Sequence, residues 1–296
     1  MIRTVNGNID TSLVTAALCH EHIVCFSHSL FAMSGSGYLD RKAVKRTAAR
    51  ELLRLREKYG LNLFLDCTSP NIGRDTELLQ SVSAESGVHI VCSTGFYYTE
   101  EPVLFRSAPE TIAYHMINDA RRVNAGVIKA AVQKEEIGEF NEKLLVASAM
   151  AQKQTGLPIV LHTNRANRNG LMALEILLES GADAGKIVVG HLDGAGEDYL
   201  LALAKYGCYL SLDQLGGAGE EYYDRIAEKV KFLFKNGYGD RVLLSHDKIF
   251  FNGFRELPDI VESPGYELVF DHILPRLTSE EARLVVRENA VRLLDN

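Results

Sequence analysis

One hydrophobic theme recurs along this chain: a short apolar run, then a longer amphipathic stretch, usually closed by Gly. The first run, 14–18, leads into Cys19-His20-Glu21-His22-Ile23. Later runs fall at 61–66, 88–93, 126–130, 159–162, 186–191, 209–213 and 241–247. They are apolar and rich in β-branched residues, as strands buried on both faces are. Between them, 40–58, 75–86, 109–123, 141–155, 169–180, 197–206 and 220–236 show helical periodicity, and 264–294 reads as mostly helical. The polar, Gly-containing stretch 27–37 and the segment 248–264 read as long loops. Unbroken strand–helix alternation implies a parallel sheet. Eight such units over 296 residues fit a closed (β/α)8 TIM barrel of the α/β class, a single domain over 1–296. No Gly-x-Gly-x-x-Gly follows the first strand, which removes the usual dinucleotide-binding pattern.

Composition narrows the function classes. Hydrophobic residues make up 46 %, enough for a large core, and the net charge is −7. An acidic balance argues against nucleic acid or an anionic membrane as partner. No apolar run has the length of a membrane span, and the start of the chain lacks the apolar core of a secretory signal. Five Cys without metal-type spacing point to reduced thiols in a cytoplasmic protein. Cys19, expected on the strand face opposite the His pair, reads as packing.

The chemistry lies at the strand ends. In a strand, side chains two apart share a face, so His20 and His22 point together and form half of a metal site. In a (β/α)8 barrel the active site occupies the C-terminal ends of the strands. There the chain places His20 and His22 (first), Asp66 (second), Lys129 (fourth), His162 (fifth), His191 (sixth) and Asp247 (eighth). The spacing keeps the beat of the repeat: 29 residues from 162 to 191, and 56 from 191 to 247. A polar cluster at one rim needs partners, and a metal supplies them together. Lys129 ends an apolar run. It is either a buried Lys paired with a carboxylate, or an amine kept neutral so that it takes up carbon dioxide as a carbamate. His246 should face the barrel wall, and His28, His89, His115 and His272 read as structural.

These pieces resemble the phosphotriesterase-related family of the amidohydrolase superfamily, over nearly the whole chain. The matching motifs are His20-Glu21-His22; Asn71-Ile72-Gly73-Arg74-Asp75; Thr94-Gly95-Phe96-Tyr97; Ala125-Gly126-Val127-Ile128-Lys129; His162-Thr163-Asn164; Gly190-His191-Leu192; and Ser245-His246-Asp247. The resemblance implies two divalent metals, zinc or else cobalt, manganese or iron. One would take His20, His22 and Asp247, the other His162 and His191, with carboxylated Lys129 and a hydroxide bridging them. Asp247 would accept the hydroxide proton. Arg74-Asp75 would serve as a loop clamp. The resemblance further implies a hydrolase of lactones or carboxylic esters, including phosphorylated sugar lactones, working as a homodimer on a small-molecule substrate. Phosphotriester, phosphoester or amide hydrolysis, or a metal-containing binding protein with negligible turnover, are the alternatives. Lactonase-like members carry a Tyr after the third strand, matched by Tyr97. They carry an Arg after Leu-Asp on the seventh strand, where this chain has Gln214, and an aromatic–Cys pair after the last Asp, where it has Lys248-Ile249. Lys248 and Arg255 in the last loop are therefore candidates to meet an anionic substrate, beside Tyr97 and Gln214.

Overall fold

The computed structural model describes residues 1–99, 101–164, 166, 168–256 and 258–295. A two-stranded antiparallel hairpin, β1 (Ile2–Thr4) and β2 (Gly7–Ile9), opens the chain. The main sheet follows: β3 (Ala16–Cys25), β4 (Leu61–Asp66), β5 (His89–Gly95), β6 (Val127–Ala131), β7 (Ile159–His162), β8 (Ile187–Val189), β9 (Tyr209–Leu212), β10 (Val242–Leu244) and β11 (Ile249–Asn252). Its strand order is β10-β9-β8-β7-β6-β5-β4-β3-β11, and every neighbouring pair is parallel. The chain beyond β10 closes the ring against β3. Asp247 N–H donates to the His20 carbonyl (3.0 Å), and His20 N–H donates to Ser245 Oγ (2.9 Å). This is a (β/α)8 barrel, with helices such as Arg41–Tyr59, Pro109–Val123 and Glu139–Thr155 covering its outside.

Strand alternation builds two cores. Leu63, Leu65, Val91, Val127, Val160 and Leu243 fill the inside of the ring. Leu18, Phe64, Ile90, Ile128, Leu161 and Leu210 face outward against the helices. Both faces are thus buried, which is why the strands read as continuous apolar runs. Helix starts follow their caps: the Asp40 carboxylate accepts from the N–H groups of Lys42 and Ala43, and that of Asp75 from Leu78 N–H.

Four local expectations fail. Residues 27–37 are not a loop: helix His28–Ser34 begins at Ser27, whose Oγ accepts from Leu30 N–H, and a 3₁₀ turn Gly35–Gly37 follows. Phe31 packs on Phe26, but the helix is otherwise exposed, so it shows no clear apolar stripe. The segment after Asp247 is not all loop either. Ile249-Phe250-Phe251 forms most of β11, and both Phe are buried. The sixth and eighth barrel strands end at Val189 and Leu244. His191 and Asp247 lie past them in left-handed backbone, φ 63° and 54°. Cys19 belongs to the inner core rather than the opposite face. Between the pairs Leu18–Phe64 and Glu21–Asp66, β3 spends one residue more than β4. This bulge lets Cys19 and His20 both turn inward.

Arg74 is the clamp expected. Its Nη1 donates to the Ser93 carbonyl (2.7 Å) and to Asp119 Oδ2 (2.6 Å), and its Nη2 to Asp119 Oδ1 (2.8 Å). Burial alone would raise the Asp119 pKa, but the Arg74 hydrogen bond and charge outweigh it and hold the carboxyl below 3.8. Asp119→Ala leaves a buried guanidinium unpaired, so urea denaturation should show a loss of about 3–5 kcal/mol. In the parent protein this contribution is present above pH 3.8 and is lost as the pH falls through the lowered pKa.

Candidate metal centre

The barrel rim gathers His20, His22, Lys129, His162, His191 and Asp247, the set expected from strand ends. Asp66 stands apart. Its carboxylate accepts from the backbone N–H groups of Ile23 (2.7 Å) and Thr68 (3.0 Å) and so ties β3 to β4.

Asp213, at the end of β9, orders the cluster. It is fully buried. Its Oδ2 accepts from Nδ1 of His20 at 2.7 Å, and its Oδ1 from Nδ1 of His191 at 2.8 Å and from the His191 backbone N–H at 2.6 Å. Both rings therefore carry their proton on Nδ1 and present the Nε2 lone pair inward. Burial, reinforced by the Lys129 charge, pulls the His20 pKa down to about 4, so the ring is neutral at neutral pH. Burial opposes ionisation of Asp213, but the two imidazoles outweigh it and hold the carboxyl well below 3.8.

A second pair of rings meets head-on. His162 Nε2 lies 2.9 Å from Gln133 Oε1, and His162 Nδ1 lies 2.6 Å from His191 Nε2. Two ring nitrogens at that separation share either a proton or a cation that takes its place. Neutral imidazoles beside carboxylate are the donor set of zinc and similar divalent metals. His22 differs: its Nδ1 is 2.8 Å from Thr68 Oγ1 and its Nε2 3.1 Å from Asp247 Oδ1, and although burial opposes its charge, Cys25 and Asp247 raise its pKa to about 10, so it carries a proton that a cation would replace. Asp247 Oδ1 is also 3.8 Å from His20 Nε2, and its Oδ2 is 4.0 Å from His191 Nε2. One ligand atom each from His20, His22 and Asp247 lies within 4.8 Å of the others, and the same holds for His20, His191 and Asp213. The first triad suits a metal. The second is a hydrogen-bonded set, because Asp213 takes the Nδ1 protons.

Lys129 is buried, and its Nζ lies 2.8 Å from His20 Nε2. Among the described residues it forms no ion pair with any Asp or Glu. Backbone sets its place. Lys129 O accepts the Phe96 N–H (3.0 Å), and Gly95 precedes that contact with φ 89°. A Cβ on Gly95 would sit 2.1 Å from Lys129 O, so only Gly fits.

Two cavities open at the rim. One of about 360 Å³ is lined by His22, Cys25, Tyr97, His162, Asp247 and Phe254, among others. Tyr97 Oη is 3.5 Å from His162 Nε2. The other, about 480 Å³, holds Gln214, Lys248 and Arg255 and shares Asp247 with the first. Gln214 Nε2 donates to Asp247 Oδ2 at 3.1 Å. Lys248 is half-buried and forms no ion pair among the described residues. Arg255 is exposed and pairs with Asp259 at 3.8 Å. The remaining His are structural: His28 meets the Pro70 carbonyl, His272 stacks on Tyr223, and His246 is buried against Glu21. Three participants were missed from sequence, namely Asp213, Thr68 and Gln133. Only Asp213 carried a signal, as an acidic residue ending an apolar run.

A (β/α)8 barrel whose strand ends gather four His, an Asp and a buried Lys defines the class of barrel metal hydrolases. The chain belongs to the phosphotriesterase family, whose sequence profile matches residues 1–294. It is 33 % identical over 250 residues to the aryldialkylphosphatase of Saccharolobus solfataricus, covering 81 % of this chain and 79 % of that protein. It is 26 % identical to the human N-acetyltaurine hydrolase, with 83 % of each covered. Among solved structures, a mutant of the PTE-like lactonase from Deinococcus radiodurans superposes with a TM-score of 0.86 at 27 % identity, covering 99 % of this chain and 100 % of that one. Among the described residues no helix is long and apolar enough to cross a membrane.

Asp213→Asn removes the acceptor that fixes both rings. Titration with zinc should show a 10–100-fold loss in affinity, with the fold retained by circular dichroism.

Proposed function

We propose that this protein is a binuclear-metal hydrolase that opens polar lactones or carboxylic esters. The observation that carries it is the convergence of His162 Nδ1 and His191 Nε2, 2.6 Å apart, beside a buried Lys129 without a counter-carboxylate among the described residues. His20, His22 and Asp247 would hold one divalent cation, and His162 and His191 the other. Lys129, as a carbamate, would bridge them: its ammonium, which the cations would repel, loses one proton to give the amine, and the amine adds to carbon dioxide with loss of a second, leaving a two-oxygen anion. When bound, the two cations supply hydroxide near neutral pH and polarise the bond under attack.

The chain's own groups divide the remaining work. Asp247 is ionised: burial opposes this, but the His22 hydrogen bond and the nearby imidazoles hold its carboxyl well below 3.8. Its Oδ2 takes up the proton released at attack and passes it to the leaving oxygen. Burial pushes the Tyr97 phenol far above 10, so it stays a donor at working pH and can hydrogen-bond an ester oxygen at the rim. The lactone reading draws support from the structural likeness to a PTE-like lactonase. Amide hydrolysis is the second reading, favoured by the similarity to N-acetyltaurine hydrolase. Both use the same centre, and turnover of matched lactone and amide substrates separates them.

Metal-replete protein should carry close to two divalent ions per chain by elemental analysis; one or none would sink the binuclear reading. Lys129→Ala should lose most activity and metal, and small carboxylic acids added with metal should restore part of both. Full activity in the unrescued variant would leave Lys129 an ordinary buried lysine.

Substrate charge follows from the second cavity. Gln214 there is uncharged, while the Lys248 ammonium has no carboxylate to pair with among the described residues. An anionic tail, phosphate or carboxylate, meets Lys248, with Arg255 nearby, while the ester lies between Tyr97 and the metal ligands. Such a charge-assisted contact is worth about 1.5–3 kcal/mol. Lys248→Ala should therefore lower kcat/KM roughly tenfold to a hundredfold on an anionic lactone and little on its uncharged analogue. Equal losses on both would return the assignment to neutral substrates.

A further inference from the structure

The Glu21 side chain lies on the opposite face of β3 from the two His it separates, and it is fully buried. No lysine or arginine pairs with it among the described residues. Instead it gathers donors from one short stretch. Its Oε1 accepts from Ser245 Oγ (2.8 Å), from His246 N–H (2.8 Å) and from His246 Nδ1 (2.9 Å). Its Oε2 accepts from Lys248 N–H (2.9 Å). The residue framed by these contacts is Asp247, whose backbone is left-handed at φ 54°. A non-glycine residue holds that conformation only where its surroundings impose it. His246 extends the clamp: its Nε2 accepts from Val269 N–H (3.4 Å), at the head of the π-helical turn Val269–Ile273.

We propose that Glu21 is a positioning residue that imposes the 245–248 turn and thereby holds the Asp247 carboxylate at the metal centre. The same three-residue motif then serves both sides of β3: its two His face the rim, and its Glu fixes the eighth-strand ligand from behind. Four donors on one carboxylate account for both neighbours of Asp247 and leave its own side chain free for the centre. The link to metal rests on the binuclear reading above; the clamp itself does not.

Glu21→Gln tests it, since the amide keeps the size but turns one acceptor into a donor against N–H groups. Glu51→Gln is the control, a buried Glu paired with Arg54 on an outer helix. In metal-free protein, hydrogen exchange at the amides of His246 and Lys248 should be at least tenfold faster in Glu21→Gln than in wild type. Exchange in β6 and β7 should be unchanged, and the control should leave 245–248 alone. In metal-loaded protein, Glu21→Gln should weaken one of the two zinc sites tenfold or more and lower kcat with little change in KM. Unchanged exchange at 245–248 would overturn the clamp. Faster exchange with both zinc affinities and kcat intact would overturn the positioning role. If wild type binds no metal, the hydrolase reading fails, while the exchange arm still decides the clamp. Should Glu21→Gln not fold, Ser245→Ala and His246→Asn each remove part of the same contacts. Fast exchange at 245–248 in either supports the clamp, and wild-type exchange in both overturns it.

Discussion

A rim of inward-facing nitrogens, most of them buried at the base of two cavities, is the constraint on which this structure turns. Imidazole lone pairs from His20, His162 and His191 and the amine of Lys129 crowd into a space where each would be costly alone. Asp213 makes the arrangement possible without metal. By taking the outer protons of two rings, it gives a buried carboxylate two charge-assisted partners and forces both rings into one tautomer. His162 Nδ1 and His191 Nε2 meet there at 2.6 Å. Folding thus brings two ring nitrogens together at a point where a cation would take the place of the proton between them.

His20, which brings its Nε2 to this rim, sits where the barrel closes, and the two facts are connected. Ordinary parallel pairing joins β3 through β10, but the last seam runs through Asp247 N–H to the His20 carbonyl and through Ser245 to His20 N–H. His20 is therefore a seam residue by its backbone and a rim residue by its side chain. The bulge before Glu21 supplies the extra turn needed for both. The left-handed backbone at His191 and Asp247 does similar work, swinging each side chain inward just after its strand has ended. Neither residue reaches the centre by continuing the pleat.

How much of this was legible depended on the range of the interaction. Period-two burial and helix caps act within a few residues, so strands such as Ile159–His162 and helices such as Pro109–Val123 were read at their true ends. The six rim residues were legible because the repeat itself places strand ends at one rim. Asp213 was not, although Leu212-Asp213 was in view. Its role is defined by a bond to His20, 193 residues away, and no local pattern encodes that. The helix His28–Ser34 buries none of its residues, so it lacked a stripe to betray it. Strand β11 was hidden because its pairing with β3 exists only once the barrel has closed. The bulge that turned Cys19 inward was invisible because strict alternation was assumed across it.

Net charge and local charge point in opposite directions at the mouth, and this bears on how an anionic substrate would be selected. The chain carries −7 overall, so the long-range field slows rather than speeds the approach of an anion. At contact distance the balance reverses, since the Lys248 ammonium stands half-buried in a cavity beside Asp247 without an ion-pair partner among the described residues. Screening removes the distant charges first: beyond about 8 Å at physiological salt they count for little. Selectivity for an anionic tail would then be expressed in how long and in which orientation the substrate is held, not in how fast it arrives. The loop that follows Asp247 supplies that cation, and Asp247 faces both cavities. Orientation of the tail and placement of the reacting carbonyl are thus coupled through a single turn, the one whose backbone Glu21 holds from behind.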